Sequence, residues 1–255
     1  MQTEVVKKIA EQMTGVNFNN IKAVVGGRNS HIFRLDKGSD SYALKFFRQD
    51  ANNARNRFEA ETSALKLFAQ NSIQCVPKLI GQDRENNCVL LEWIHGKPIK
   101  YYTQDDIHQL SGFVNKVHDI SRELKVDDIR FATDACLNGS EIVSQINRRL
   151  EQLKTAGDTY PDLQHFLVES FIPALKKITV WSQNEFLKRG MNFDVKISQK
   201  QMTLSPVDIG FHNCLLIKNK LYFLDFEFFG RDDPVKLVAD TLQHPGSMLE
   251  PQDTK

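Results

Sequence analysis

The feature that most constrains the fold of this 255-residue chain is a short apolar hairpin with polar residues at its outer ends. Residues 213–217 and 221–225 have the apolar composition of strands, and residues 218–220 between them predict a turn. Asp208 precedes the hairpin, Asn213 begins it and Asp225 ends it. Because a hairpin brings its two outer ends together, the sequence predicts that these three polar residues line one cleft.

The residue types at these positions suit phosphoryl transfer from ATP. A carboxylate such as Asp208 can orient an acceptor hydroxyl and take its proton. Oxygen ligands such as those of Asn213 and Asp225 can hold Mg²⁺ on the phosphates. The alternative is structural, because Asp and Asn are also common turn residues. Asp225 fits that alternative poorly, since a carboxylate that ends an apolar strand needs a partner.

The first part of the chain has the pattern of an antiparallel sheet that begins with hairpins. A helix with an apolar stripe at Phe58, Ala64, Leu65 and Phe68 is predicted to follow the third strand, over residues 51–70. Short apolar or alternating runs bounded by turn residues predict five strands, at residues 21–25, 31–35, 41–47, 78–81 and 88–94.

Beyond residue 100 the apolar periodicity is mostly helical. Thr103 and Asp106 have the spacing of a capping box, and Ser140 is the predicted N-cap of a later helix. Residues 161–187 predict a long helix that is kinked or broken near Pro173. The fold class predicted from this order is α+β.

Charge and composition exclude several classes of function. The chain has 33 Lys and Arg against 32 Asp and Glu, so it lacks the net field that gathers nucleic acid or an anionic membrane. No apolar run reaches the roughly 18 residues that span a bilayer. The amino terminus lacks the apolar stretch of a secretion signal. We therefore predict a cytoplasmic protein with four free cysteines and with neither nucleic-acid nor membrane partners.

The segment at residues 205–230 resembles the aminoglycoside phosphotransferase family, which is related to choline kinases and more distantly to protein kinases. The family's catalytic loop reads His-Gly-Asp, four residues and Asn, and Asp208 and Asn213 match it at that spacing. Ser205 stands where the family has His. The family's metal-binding pattern, Ile-Asp-Phe/Trp-Glu followed by Gly and Asp-Pro, is similar to residues 224–227 with Gly230 and residues 233–234.

The resemblance extends to the nucleotide-binding half. Gly26, Gly27 and Asn29 resemble the family's phosphate-covering turn, where glycines let the backbone approach the anion. The backbone of Glu92 and Ile94 resembles the segment that joins two lobes and binds adenine. Taken alone, a Gly-Gly pair is as well explained by a hairpin turn.

Lys45 resembles the family's nucleotide lysine, and Glu61 resembles the carboxylate that orients it. Each residue has a plainer explanation, since an isolated strand lysine can reach water and an isolated helix glutamate is usually solvated. All the matched residues occur in the family's order. The resemblance therefore implies a bilobal protein-kinase-like fold, with a small antiparallel-sheet N-lobe containing one helix (residues 1–96) and a larger, mostly helical C-lobe (residues 97–255).

The resemblance implies an ATP- and magnesium-dependent phosphotransferase acting on a hydroxyl of a small molecule, such as a sugar, amino sugar or amino alcohol. Asp208 is its implied catalytic residue, and Asn213 and Asp225 are its implied metal ligands. The alternative is a nucleotide-binding pseudokinase without transfer activity. Ser205 motivates this alternative, as do the 30 residues after Asp225, which predict a truncated carboxyl end.

Other polar residues near this motif have two interpretations. His212 is a second candidate base, although Asp208 already fills that role, so we predict that His212 packs the loop. Glu227 either contacts a metal or the acceptor, or supports the site by a hydrogen bond. Asp232, Asp233 and Asp240 either form an acidic wall for a cationic acceptor or, for the first two, make a turn with an N-cap.

Overall fold

In the computed structural model, the protein forms two compact units, one of residues 1–133 with 203–255 and one of residues 134–202. None of its described helices is both long and apolar enough to cross a membrane. The structure describes residues 3–24, 29–48, 56–123, 129–157, 159–247 and 249–254.

The first unit contains a five-stranded antiparallel sheet in which the strand order is β1-β2-β3-β5-β4. Gly38 has a φ of +57° in the turn between β2 and β3, a conformation that glycine adopts at little cost. Every strand predicted in this region is confirmed, and the observed bounds are β1 Asn20–Val24, β2 Ser30–Lys37, β3 Asp40–Phe47, β4 Leu79–Asp83 and β5 Cys88–Glu92.

Helices cover both faces of this sheet. Helix α2 (Arg57–Gln70) packs against the face that carries Phe47, Val89 and Leu91, and its predicted apolar stripe is buried. The opposite face carries Leu44 and Leu90 and packs against helix α1 (Thr3–Thr14), which the sequence analysis did not assign. Because side chains alternate along a strand, Lys45 shares the α2 face with Phe47. The predicted helix at 51–70 is observed from Arg57, and residues 51–55 lie outside the described residues.

Two smaller sheets of the same unit position the loops at residues 206–213 and 224–229. Strands β8 and β9 form the predicted hairpin, whose two turn residues, Lys218 and Asn219, both have positive φ. Strand β7 precedes this hairpin in the sequence, β10 follows it, and these two strands pair with each other. The pairs Ser205↔Gly230 and Cys214↔Phe223 therefore bring the ends of the two loops together. Strand β6 pairs with β8. The bounds are β6 Lys97–Pro98, β7 Thr203–Ser205, β8 Cys214–Ile217, β9 Lys220–Phe223 and β10 Gly230–Asp232.

Two more helices complete the first unit. Helix α3 (Gln104–Glu123) begins with the predicted capping box, in which Asp106 accepts from the Thr103 amide at 2.8 Å and its own amide donates to the Thr103 hydroxyl at 3.3 Å. Helix α7 (Pro234–Gln243) is capped by Asp233, whose carboxylate accepts from the Val235 amide at 2.7 Å. Residues 245–247 and 251–254 then form short 3₁₀ turns.

The second unit, residues 134–202, is helical. Helix α4 (Gly139–Gly157) is capped by Asn138, which accepts from the Glu141 amide at 2.7 Å, so the prediction of Ser140 as the cap was wrong by two residues. Helix α5 (Pro161–Phe166) continues into helix α6 (Ile172–Lys188) through a π-helical turn at Leu167–Phe171. This turn confirms the predicted interruption near Pro173, because proline cannot donate the hydrogen bond of a regular helix.

The core of the first unit is rich in phenylalanine. Phe68 on α2 makes edge-to-face contacts with Phe113, Phe226 and Phe229, at centroid distances of 5.8, 5.0 and 5.6 Å. Phe226 immediately follows Asp225, so the polar loop at 224–229 is anchored by buried aromatic rings on its own chain. All four cysteines are free thiols, as predicted.

Candidate active site

Lys45 of β3 is the centre of a buried cluster of charges. Its Nζ atom lies 2.5 Å from Glu61 Oε2, 2.6 Å from Asp225 Oδ1 and 3.5 Å from Glu227 Oε2. The side chains of Lys45, Glu61 and Glu227 are at most 4% exposed, whereas that of Asp225 is 39% exposed. The predicted lysine, glutamate and metal-binding aspartate are therefore in direct contact, with Asp225 on the solvent side.

The cluster carries more negative than positive charge. Burial alone would lower the pKa of Lys45, but Glu61, Asp225 and Glu227 outweigh it and raise the pKa, so the lysine stays charged. Burial raises the pKa of Glu61 and of Glu227, and Asp225 adds to both shifts by like-charge repulsion. Three carboxylates face Lys45 and Arg57, so the acidic groups outnumber the basic ones by one, and Asp225 on the solvent side is available to a further cation.

Glu227 connects this cluster to Asn29, which follows the predicted glycine turn in the sequence. Its Oε1 atom accepts from Asn29 Nδ2 at 2.8 Å and lies 3.6 Å from Arg57 Nε. Of the two interpretations of Glu227, the structure shows the supporting hydrogen bond. The side-chain amide of Asn29 is already engaged, so its predicted contact with the nucleotide stays a prediction, and Gly26 and Gly27 lie outside the described residues.

Asp208 lies in the loop between β7 and β8, in a strained backbone. Its φ is +50° and that of Val207 is +53°, both in the region that residues other than glycine rarely adopt. Its Oδ1 atom lies 3.0 Å from His212 Nε2 and 3.1 Å from His244 Nε2. His212 was predicted to pack this loop; its ring lies against Gly210 of the same loop and also contacts the candidate base directly.

These contacts set the ionisation of Asp208. Burial would raise the pKa of Asp208, but the hydrogen bond and charge of His212 contribute in the opposite direction, and the pKa is lowered. The hydrogen bond to Asp208 is also the main cause that raises the pKa of His212. The carboxylate is therefore held in its ionised form, as a base for a hydroxyl requires.

Asn213 and Asp225 lie on adjoining chain segments, because the Leu224 amide donates to the Asn213 carbonyl at 2.9 Å. Asn213 Nδ2 donates to the Asp208 carbonyl at 2.9 Å, and Asp225 Oδ1 accepts from Lys45. Asn213 Oδ1 and Asp225 Oδ2 have no hydrogen bond among the residues that the structure describes. One amide oxygen and one carboxylate oxygen beside excess negative charge fit Mg²⁺, which prefers such ligands together with phosphate and water.

The predicted adenine segment lies at the end of β5. The Glu92 amide donates to the Lys78 carbonyl at 2.9 Å, so a bond from Glu92 to adenine would have to use its carbonyl oxygen. The Ile94 amide has no hydrogen bond within the described parts of the chain, and its side chain is buried. Both positions stay predictions as nucleotide contacts.

Two further sequence-based expectations bear on the site. Ser205, in the place of the family's histidine, is buried, and its hydroxyl accepts from the Val207 amide at 3.3 Å, which supports the loop before Asp208. Lys236 lies 3.0 Å from Asp232 and 2.6 Å from Asp240, and Asp233 caps α7, so all three carboxylates have partners within the protein and the turn with an N-cap is observed.

His244 is the site residue that the sequence analysis missed. It follows α7 and reaches Asp208 across 36 residues, and no local spacing or motif pointed to it. The Pro-Gly-Ser sequence at residues 245–247, which follows it, predicts a turn but does not indicate a contact with the catalytic loop.

The family model described as fructosamine kinase matches residues 1–149, more than half of the chain, and the chain belongs to this family. The matched part contains Lys45 and Glu61 but not Asp208. No curated protein sequence matched the chain.

Solved structures with similar folds are small-molecule kinases. Spectinomycin phosphotransferase, in complex with ADP and spectinomycin, has a TM-score of 0.65 at 15% identity, covering 100% of this chain and 78% of that one. Choline kinase from Streptococcus pneumoniae has a TM-score of 0.60 at 14% identity, with 98% and 78% covered. Amicoumacin kinase, with AMP-PNP and Ca²⁺, has a TM-score of 0.55 at 12% identity, with 98% and 72% covered.

These similarities confirm the predicted protein-kinase-like α+β fold. Together with the family, they confirm that the chain is a small-molecule kinase, which transfers a phosphoryl group from ATP to a hydroxyl acceptor.

Proposed function

We propose that this kinase uses Mg²⁺-ATP to phosphorylate a hydroxyl of a sugar that is joined to an amine, the type of compound named by its family. The observation that carries the proposal is the contact of Lys45 Nζ with both Glu61 and Asp225. This arrangement aligns a nucleotide-binding cation with a metal-binding carboxylate.

The buried ion pair supports the role of Lys45 in nucleotide binding. Glu61 holds the ammonium group, and Lys45 binds the phosphates of ATP, which Gly26, Gly27 and Asn29 cover. Glu92 and Ile94 contribute backbone contacts to adenine. Residues 1–96 form the nucleotide-binding lobe in this proposal, and residues 97–255 supply catalysis and acceptor binding.

Asn213 and Asp225 would hold Mg²⁺, which when bound neutralises charge on the transferred phosphoryl group. Asp208 orients the acceptor hydroxyl and takes its proton. Its Oδ1 atom accepts from His212 and lies 3.1 Å from His244 Nε2, so Oδ2, whose one neighbour is Asn213 Nδ2 at 3.4 Å, is the oxygen left for the acceptor among the described contacts. Rate enhancement then comes from positioning and charge neutralisation.

An amine-linked sugar offers hydroxyls for transfer and a nitrogen for recognition. The family match is the support for this acceptor, and the proposed reaction is cytoplasmic, where ATP is available. Sugars without the amine and simple amino alcohols are the competing acceptors that the experiment must include.

The first experiment measures thermal stability with and without Mg²⁺-ATP for the wild type and for Asp225→Asn. We expect a magnesium-dependent rise in Tm that is weakened in the variant, since the variant loses one charge of the metal site. Asp40→Asn, an exposed change in the β2–β3 hairpin, serves as the matched control. A wild type that Mg²⁺-ATP does not stabilise would contradict the nucleotide site.

The second experiment follows ATP consumption with fructosyl-lysine, fructose, choline and spectinomycin as acceptors. We expect turnover with fructosyl-lysine to exceed that with fructose by at least about tenfold, a difference of about 1.4 kcal/mol in transition-state binding. Turnover of choline alone would reject the acceptor class. Binding of Mg²⁺-ATP without turnover of any acceptor would favour the pseudokinase alternative.

A further inference from the structure

His244 and His212 approach the same oxygen of the candidate base from two parts of the chain. Their Nε2 atoms lie 3.1 and 3.0 Å from Asp208 Oδ1, and the two rings stack with centroids 4.8 Å apart. We propose that His244 is a positioning residue, which holds Oδ1 of Asp208 so that Oδ2 receives the acceptor proton. This inference rests on the proposed role of Asp208 in phosphoryl transfer.

The hydrogen bonds of His244 define its tautomer. The backbone amide of Gly246 donates to His244 Nδ1 at 3.0 Å. A ring nitrogen that accepts a hydrogen bond carries no proton, so the proton of the neutral imidazole is on Nε2. The Nε2–H group is therefore the one that lies 3.1 Å from Asp208 Oδ1, and this contact needs no change in the charge of His244.

The same geometry distinguishes this role from a metal site. One ligating atom from each of Asp208, His212 and His244 lies within 4.8 Å of the other two, so these three atoms are close enough together to bind one metal ion. A histidine that binds metal through Nε2 keeps its proton on Nδ1 and donates it to an acceptor. The Gly246 amide presents a donor to Nδ1 instead, so the hydrogen bonding favours a donor to the carboxylate.

The segment after α7, residues 244–247, contacts the rings of both His244 and His212. The Ser247 amide and hydroxyl donate to the His244 carbonyl at 2.9 and 2.7 Å, which closes a turn around His244. A Cβ added to Gly246 would lie 2.5 Å from Nδ1 of His212, and one added to Gly210 would lie 2.9 Å from the same atom. The His212 ring is thus packed between two glycines, one of them from the His244 turn.

Asp208 needs such support because its backbone has a conformation that residues other than glycine rarely adopt. The successive positive φ angles of Val207 and Asp208 persist where surrounding contacts hold them. The hydrogen bond from His212 and the close Nε2 atom of His244, whose ring stacks on that of His212, both lie on the Oδ1 side of the carboxylate. Loss of the His244 ring is expected to let the carboxylate rotate, which lowers the rate of transfer without affecting the nucleotide contacts.

One test is independent of catalysis. Long-range ¹H–¹⁵N NMR spectra of the full chain report the tautomer of each histidine, with His244 assigned by the signal lost in His244→Gln. We expect the Nε2–H tautomer for neutral His244. The Nδ1–H tautomer would overturn the proposal, and so would loss of the Nε2–H signal on addition of stoichiometric Zn²⁺ alone, because it would identify a metal ligand.

A second test uses Mg²⁺-ATP with fructosyl-lysine. We expect His244→Ala to lower kcat about 10- to 100-fold, with KM for ATP within about twofold, and His244→Gln, which retains an N–H donor, to recover most of the loss. His108→Ala, an exposed change on α3, is the control. Equal losses in the Ala and Gln variants would overturn the proposal. If the wild type phosphorylates no acceptor, the proposed function fails, while the tautomer still decides the role of His244.

Discussion

The Nζ atom of Lys45 lies 2.6 Å from Oδ1 of Asp225, although the two residues are 180 positions apart in the sequence. The same atom lies 2.5 Å from Glu61 on α2. One buried ammonium group therefore joins the five-stranded sheet, helix α2 and the loop after β9. We therefore expect both stability and the proposed nucleotide binding to depend on this contact.

We expect Lys45→Met to lower the free energy of unfolding by about 3–5 kcal/mol, because it leaves the buried carboxylate of Glu61 without its cation. The double variant Lys45→Met/Glu61→Gln should recover part of this loss, since it also removes one buried charge. Urea denaturation gives the stabilities, and Mg²⁺-ATP should stabilise neither variant. A single variant as stable as the wild type would contradict a buried, charged Lys45.

Asp208→Ala is expected to lower kcat by about 10²- to 10⁴-fold, the usual contribution of a positioned base. The rise in Tm with Mg²⁺-ATP should persist, because Asp208 makes no contact with Lys45 among the described residues. Asp40→Ala, at an exposed position of the hairpin, is the control for a lost carboxylate. Turnover close to that of the wild type would remove Asp208 from the mechanism.

Asp36 on β2 gives a pH-dependent contribution to stability. Hydrogen bonds from Ser41 and then from Arg34 lower its pKa from 3.8 to about 2. Because the folded state binds this proton less tightly than the unfolded state, the stabilisation is present above pH 3.8 and is lost as the pH falls through about 2. The difference in Tm between the wild type and Asp36→Asn should therefore shrink below pH 4. A constant difference would show that ionisation of Asp36 does not contribute.

Phe68 is fully buried among three other phenylalanine rings. We expect Phe68→Ala to lower the free energy of unfolding by about 3–5 kcal/mol, because the variant loses buried apolar surface and leaves a cavity. Tyr101→Ala, at a side chain that is 91% exposed, should change stability by less than about 0.5 kcal/mol. Chemical denaturation of both variants measures the contrast, and similar losses would mean that Phe68 does not organise the core.

The parts of the fold that follow from local pattern were predictable from the sequence. Alternation along β3 places Lys45 on the face that α2 covers, and helical spacing places Glu61 on the buried side of α2. The hairpin of β8 and β9 followed from two apolar runs and a short turn. These features depend on neighbours in sequence, so the residues themselves carry the information.

Other features depend on contacts that no local pattern contains. His244 contacts Asp208, which is 36 residues away in the sequence, and Asn29 contacts Glu227, which is 198 residues away. No residue near His244 or Asn29 in the sequence indicates these partners. The cap of α4 was misplaced because Asn and Ser are about equally good N-caps, and Asn138 and Ser140 are two residues apart. Helix α1 was missed although its amphipathic pattern was visible, because nothing local shows that the sheet offers it a second apolar face.

The discontinuity of the first unit has a consequence for biosynthesis. Residues 1–133 leave the ribosome before the intervening residues 134–202, and residues 203–255 complete the unit afterwards. At about 5–20 residues per second, Lys45 has Glu61 but not Asp225 as a partner for roughly 10–30 s. Glu61 is thus available to pair with Lys45 during synthesis, while the catalytic loop, which closes the site, is still to be translated.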